Sequence, residues 1–221
     1  MDPKTAAGEE AAKLVVDGMF VGLGTGSTAE KATRAIGRRV AEGLKIKAVA
    51  TSKATSALAC KLAIPLLDVD MVDRIDVTID GADEVDPNGD AVKGLGGALF
   101  REKVVASITK KYVIIIDGSK LVDTLGTKAP VPVEVSQYGA RHAASRLERL
   151  GCDPKLRGGE KPFVTDNGNY IVDCRFNGIR DPAGLNGAMK SITGVLETGL
   201  FLGMKPHVIV GSEDGARRFT Y

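Results

Sequence analysis

Four short segments of the 221-residue chain combine glycines with residues that bind anions or move protons. The first, Gly24-Thr25-Gly26-Ser27-Thr28, lies between an apolar run from Met19 to Leu23 and a stretch where Ala29, Ala32, Ile36 and Val40 recur at helical spacing. A Gly-rich turn that opens a helix offers free N–H groups at the positive end of the helix dipole, so it suits a phosphate. Two other phosphate loops do not fit. A dinucleotide fingerprint starting at Gly22 needs glycine where Ser27 stands, and Thr51-Ser52 occupy the place of its ribose-binding acid. A Walker loop needs a lysine that this loop lacks. The plainer alternative is a βα turn with an N-cap.

The second segment is Asp80-Gly81-Ala82-Asp83-Glu84, directly after a predicted strand from Ile75 to Ile79. Carboxylates at the carboxyl end of a strand can hold sugar hydroxyls or exchange protons. Solvated turn acids are the alternative, and Asp86-Pro87-Asn88-Gly89 just beyond is such a turn. The third, Lys93-Gly94-Leu95-Gly96-Gly97-Ala98, leads into a helix carrying Glu102 and Lys103. A lysine before a Gly-rich turn can hold an oxyanion close to backbone donors. A surface Glu–Lys pair is the alternative. The fourth is Asp117-Gly118-Ser119-Lys120, where Lys120 can meet a phosphate as a point charge or stay solvated. All four follow predicted strands, so one sheet edge would gather them.

The elements that must do the gathering are visible as periodicities. Ala7, Ala11, Leu14 and Val15 share one face of a helix predicted over residues 4–17. Strands are predicted at 46–50, 64–67, 75–79 and 112–116, and helices at 53–62 and 99–108, the latter burying Phe100, Val104 and Ile108. Such alternation implies a parallel sheet with helices on both sides. The pattern changes near Gly126. A strand at 131–135 is followed by a helix with Ala140, Ala144, Leu147 and Leu150, then by a Gly- and Lys-rich loop. Asp166-Asn167-Gly168-Asn169 between two apolar segments signals a hairpin. Asp181-Pro182 opens a short helix by the N-cap and N1 preferences. A last buried strand, 207–211, returns to the first sheet. The expected architecture is α/β: a Rossmann-like parallel-sheet domain over 1–126 plus 201–221, with a smaller ferredoxin-like α+β domain inserted at 127–200.

Composition narrows the partners. Lys and Arg (30) exceed Asp and Glu (28) by only two, which excludes a basic footprint across the whole surface. Aromatics are 5% of residues and Trp is absent, which disfavours base-stacking platforms. No apolar run approaches the ~20 residues of a membrane helix. The start, Met-Asp-Pro-Lys-Thr, lacks a signal-peptide pattern, so a cytoplasmic location is expected. Cys60, Cys152 and Cys174 form no CxxC pair and read as buried reduced thiols. His142 and His207 stand far apart and form no zinc motif.

Taken together, the four segments resemble the ribose-5-phosphate isomerase A family. Its GTGST run is present at Gly24 to Thr28 and its DGADE run at Asp80 to Glu84. Its KGGGGAL–REK segment is similar to Lys93 to Leu99 with Arg101-Glu102-Lys103, and its SK pair to Ser119-Lys120. Further similar stretches are Pro130 to Val135, Val164 to Asn169 and Gly194 to Leu202, so the likeness runs in order over nearly the whole chain. One departure is Leu95, where the family usually has glycine. If that position needs a positive φ, leucine would be strained there.

The resemblance implies an aldose–ketose isomerase that interconverts D-ribose 5-phosphate and D-ribulose 5-phosphate through an enediolate, in the non-oxidative pentose phosphate pathway. Glu102 would be the base, Lys93 would stabilise the developing oxyanion, and Asp80 and Asp83 would bind hydroxyls and assist ring opening. Lys4, Thr25, Gly26, Ser27, Thr28, Gly81, Ala82, Gly94, Leu95, Gly96 and Lys120 would complete the substrate site, with Lys4 and Lys120 near the phosphate. The family implies no metal or organic cofactor, and a homodimer or homotetramer with the small domain as its contact. Two alternatives share the fold: a sugar-phosphate sensor, or a coenzyme A transferase with a Glu nucleophile. A regulator would need a DNA-reading helix-turn-helix, and only about 20 residues precede the first strand, with no basic recognition helix.

Overall fold

The computed structural model describes residues 1–221. Along the chain run α1 (Pro3–Ala12), β1 (Phe20–Leu23), α2 (Ser27–Ala41), β2 (Lys47–Ala50), α3 (Lys53–Lys61), β3 (Ile75–Gly81), β4 (Glu84–Val85), β5 (Ala91–Val92), α4 (Leu99–Ser107) and β6 (Thr109–Asp117). They are followed by β7 (Val131–Val135), α5 (Ala140–Glu148), β8 (Asp153–Leu156), β9 (Tyr170–Arg175), α6 (Pro182–Lys190), β10 (Val195–Thr198), β11 (Leu200–Phe201), β12 (His207–Ser212) and β13 (Gly215–Thr220). These elements form two compact units. The first comprises Met1–Ala82, Arg101–Lys120 and Met204–Tyr221, and the second Asp83–Phe100 and Leu121–Gly203.

The first unit is built on a six-stranded sheet in the order β13-β12-β6-β3-β1-β2. All neighbours are parallel except the edge pair β12–β13. Val113, Ile114, Ile115 and Ile116 of β6 are all buried, as a strand covered on both faces requires. One core holds Val21, Leu23, Ile36, Val77, Ile79 and Ile115 with the alanines of α1 and α2. Each large aliphatic side chain so buried contributes about 1.5–3 kcal/mol. β2 and β3 lie on opposite sides of β1, so the order reverses there, and the carboxyl ends of β1 and β3 sit side by side. A crevice at such a reversal is where open α/β sheets bind ligands.

The second unit carries the four-stranded antiparallel sheet β10-β7-β9-β8, with α5 and α6 in the connections. This βαββαβ arrangement is ferredoxin-like. A three-stranded sheet, β11-β5-β4, adds to it. Its core collects Val92, Leu125, Val131, Val133, Leu147, Val172 and Met189.

Several local expectations need correction. α1 stops at Ala12 rather than running to 17, where Val15-Val16-Asp17-Gly18 brings β-branched residues and a glycine at φ +83°. Residues 64–67 form only an isolated bridge, Ala48 to Leu66, because Pro65 has no N–H to donate and Asp68 caps a 3₁₀ turn at once. The hairpin partner of β9 is β8, not the run before Asp166. The Asp166–Asn169 turn is instead closed by the Thr165 N–H on the Asn169 carbonyl, 2.8 Å. α4 turns Leu99, Glu102, Val105 and Ala106 inward, while Val104 is exposed. Cys152 and Cys174 are buried thiols as expected, whereas Cys60 is exposed. The edge strand β13 and the sheet of β4, β5 and β11 were not legible as strands, because β4, β5 and β11 are two-residue pieces and β13 is mostly exposed.

Candidate active site

The register of β1 against β3 places Gly24 beside Asp80. Leu23 pairs with Ile79, and the Gly24 N–H then bonds the Ile79 carbonyl at 2.9 Å. Asp80 is fully buried, and its Oδ1 accepts the N–H groups of Thr25 (3.0 Å) and Gly81 (2.8 Å). The loop passes so close that a Cβ on Gly24 would lie 2.2 Å from Asp80 Oδ1. Only glycine leaves room for this carboxylate.

The Thr25 hydroxyl is held among three others: Thr51 at 2.7 Å, Ser52 at 2.9 Å and Thr55 at 3.2 Å. Thr25 thus fastens the loop to the start of α3, and its N–H serves Asp80. Behind this loop, a groove of about 540 Å³ runs between α2 and α3, lined in part by Ser27, Arg34, Thr55 and Lys61. It contains neither Asp80 nor Glu102.

The start of α2 lies in the same unit. α1, α3 and α6 begin with capping side chains from Asp2, Ser52 and Asp181, whereas α2 begins at Gly26 with none. Its first N–H groups therefore retain no side-chain acceptor. α1 delivers Lys4, whose Nζ lies 2.9 Å from Ser27 Oγ. Lys120 follows β6 in a 3₁₀ turn, Gly118–Lys120. Partial burial pushes the Asp117 carboxyl up, but the Ser119 hydroxyl and N–H and the charges of Lys120 and Lys4 outweigh this and hold it below its ordinary value. The two lysines thus act on one neighbourhood, beside the uncapped helix start. Together they supply the donors and positive charge that a phosphate needs.

Glu102 is 4% exposed on the inward stripe of α4. A glutamate so deeply buried is rare outside paired or functional settings, which separates it from the surface Glu–Lys alternative.

The second unit holds Asp83, Lys93, Gly94, Leu95 and Gly96. The Asp83 N–H bonds the Val92 carbonyl at 2.8 Å, and its Oδ2 accepts the Leu95 N–H at 3.0 Å. Lys93 is 1% exposed, with its Nζ 5.2 Å from the centroid of the Phe201 ring. An ammonium over an aromatic face gains a cation–π attraction. Gly94 and Gly97 take φ of +105° and +78°, and Leu95 is not among the residues at positive φ. The strain considered for leucine at this position is therefore absent. Leu95 contributes its N–H and leaves its side chain half in solvent.

Three residues outside the sequence-derived set shape these positions. Glu84, the last residue of the acidic run, is fully buried and accepts the N–H groups of Gly126, Lys128 and Ala129, so its work is structural. Phe201 lies under Lys93. Arg157 donates to the carbonyls of Gly94 and Leu95. Glu84 was visible only as part of the acidic run. Phe201 lies in the family-like stretch 194–202, and Arg157 in a loop that carries no motif.

An α/β enzyme for a small anionic substrate, with buried carboxylates and a buried ammonium, is the class that this fold and these residues define. The family model of ribose 5-phosphate isomerase A (phosphoriboisomerase A) matches residues 47–215. A Thermomicrobium roseum protein named ribose-5-phosphate isomerase A is 54% identical over 217 residues, covering 97% of this chain and 92% of its own. The Bacillus mycoides protein of that name is 48% identical over 221 residues, 99% of this chain and all of its own. Among solved structures, ribose 5-phosphate isomerase A from Methanocaldococcus jannaschii superposes with a TM-score of 0.93 at 38% identity, covering 100% of this chain and 99% of its own. A D-ribose-5-phosphate isomerase in complex with phospho-erythronic acid superposes with a TM-score of 0.95 at 38% identity, covering 100% and 98%. The chain belongs to the ribose 5-phosphate isomerase A family.

Proposed function

We propose that the chain interconverts D-ribose 5-phosphate and D-ribulose 5-phosphate, with Glu102 moving a proton between C2 and C1 of the open-chain sugar. The observation that carries the assignment of the base is the inward turn of α4, which buries Glu102 where the apolar pattern alone would expose it. In the aldose-to-ketose direction the Glu102 carboxylate takes the C2 proton, and the electron pair moves through C1 onto the carbonyl oxygen. Delivery of that proton to C1, with transfer of the O2 proton to O1, completes the ketose. A positioned base supplies about 10²- to 10⁴-fold of the rate, and stabilisation of the developing oxyanion is often the larger contribution. Lys93 takes the second role, with Asp80 and Asp83 holding hydroxyls and assisting ring opening.

Lys4, Ser27, Thr28 and Lys120 grip the phosphate, so that remote binding orients the reacting carbons. Gly26, Gly81, Ala82, Gly94, Leu95 and Gly96 frame the substrate with their backbones. The phospho-erythronic acid held by the related isomerase supports this reading. Its carboxylate presents two oxygens in one plane with shared negative charge, as an enediolate does with one oxygen on each of two adjacent trigonal carbons.

The test follows ribulose 5-phosphate formation by the purified chain in EDTA, beside Glu102→Gln. Turnover by the wild type and a loss of roughly 100-fold or more in a folded variant are expected. An unchanged variant would move the base elsewhere, and a folded but inactive wild type would overturn the isomerase reading. We also propose a homodimer or homotetramer, for which a single-chain mass by light scattering would be the contrary result.

A further inference from the structure

Glycines shape the loop that carries Lys93. Of its residues, Gly94 and Gly97 take positive φ, and glycine backbones are the least confined of any. Within the loop, one turn bond closes it, from the Gly97 N–H to the Gly94 carbonyl at 2.9 Å. The Leu95 N–H reaches Asp83, and the Lys93 N–H reaches the Gly199 carbonyl at 2.9 Å. The carbonyls of Gly94 and Leu95 are held by one side chain from elsewhere in the second unit. Arg157 Nη1 lies 3.2 Å from the first and 3.0 Å from the second.

Arg157 is itself firmly held. Its Nε and Nη2 meet the two carboxylate oxygens of Asp173 on β9, the former at 2.9 Å, in a two-pronged pair. The guanidinium lies 5.8 Å from the centroid of the Phe163 ring. The Arg157 side chain is only 17% exposed, so solvent weakens the pair little. All three nitrogens are thus engaged, and the Asp173 charge balances the guanidinium.

The direction of these carbonyls has a chemical consequence. In a trans peptide the N–H points opposite to the C=O, and no peptide in this chain is cis. Turning the Gly94 carbonyl to Arg157 therefore turns the Leu95 N–H away from it, onto the Asp83 carboxylate. Turning the Leu95 carbonyl to Arg157 likewise turns the Gly96 N–H away from the guanidinium. A charged donor on each carbonyl also polarises the attached N–H.

We infer that Arg157 is a positioning residue: through the Gly94 and Leu95 carbonyls it fixes the N–H groups of Leu95 and Gly96 and, through Leu95, the orientation of the Asp83 carboxylate. The inference rests on the proposed roles of Lys93 and Asp83. Lysine cannot replace this arginine, because one ammonium does not offer the planar fork that spans a carboxylate and two carbonyls at once.

The test measures kcat and KM for ribose 5-phosphate in Arg157→Lys and Arg157→Ala, with thermal midpoints and with guanidinium chloride added at millimolar levels. Small displacements of catalytic groups cost up to about 10²-fold, so kcat should fall about 10- to 100-fold with KM within about threefold. Guanidinium should restore part of the kcat of Arg157→Ala and none to Arg157→Lys, whose stem fills the space. If the alanine variant does not fold, Arg157→Lys decides alone through its separate effects on kcat and KM. Wild-type kcat in either variant overturns the inference. So does a loss of kcat in folded Arg157→Ala that guanidinium leaves unrelieved, since this marks a merely structural role. Lys93→Met and Asp83→Asn, assayed alongside, keep the two readings apart: full activity in those variants would defeat the assigned roles themselves, whatever Arg157 does.

Discussion

Leu95 and Gly97 stand two residues apart in one loop and should respond to substitution in opposite ways. Leu95 holds an ordinary φ, uses its N–H on Asp83 and leaves its side chain 43% exposed. Leu95→Gly should therefore cost only the added backbone freedom of glycine, about 0.5–1 kcal/mol. Gly97 has φ +78°, and a Cβ there would lie 2.6 Å from two carbons of the Phe163 ring. Gly97→Ala should cost about 1–2 kcal/mol from the backbone alone, with more for moving the ring away from Arg157. Urea unfolding midpoints compare the two, and a Gly97→Ala protein as stable as the wild type would sink the argument. Residue type alone did not settle this point. A leucine among glycines suggests strain until φ is known, and φ depends on which carbonyls the loop must turn toward Arg157. Conversely, Asp80 and Glu102 were legible as candidates only through their company: each alone fits a turn acid or a surface pair, and the resemblance carried by the four segments together singled them out.

Glu84 joins two elements. It sits on β4, and its carboxylate collects three N–H groups from the 126–129 segment just before β7. Hydrogen bonds to a charged group contribute about 1.5–3 kcal/mol each, and a buried donor left unmatched costs about as much. Glu84→Gln keeps the shape but sets an amide NH₂ against N–H groups, so the variant should lose about 2–4 kcal/mol of stability. Chemical denaturation measures the loss, and a change below about 0.5 kcal/mol would show that the segment holds without the charge. Elements with local causes were readable in advance. Asp181 caps α6 through the Gly184 N–H at 2.9 Å, with Pro182 at the first turn, as the dipeptide signalled. The buried face of α4 was not readable, since apolar periodicity favours the stripe of Phe100 and Val104 over one that contains a glutamate. The β8–β9 pairing escaped for a different reason. Its connection runs through Arg157 to Asn169, and the tight turn near its end imitates a two-residue hairpin loop.

At the scale of the whole molecule, the alternation of strands and helices sufficed to read the parallel sheet and the return of the last buried strand. Which segments share a core was less legible, because two-residue strands leave almost no periodicity. β4 and β5 lie within Asp83–Phe100, between two parts of the first unit in sequence, yet they belong to the second unit. There β5 pairs with β11, Val92 enters the core with Val131 and Leu200, and Glu84 holds the 126–129 segment. A fragment of residues 121–203 would keep the whole βαββαβ sheet and still lack these partners. β11 would become an unpaired edge, the Val92 site would open, and the three N–H groups now bonded to Glu84 would lose their acceptor. Small domains are stable by only about 5–15 kcal/mol, so losses of this kind suffice to prevent independent folding. Fragment 121–203 should therefore give a poorly dispersed amide spectrum, and joining 83–100 to it through a flexible Gly/Ser linker should restore dispersion. Well-dispersed amides from 121–203 alone would show that the ferredoxin-like sheet is self-sufficient and that Asp83–Phe100 only leans on it.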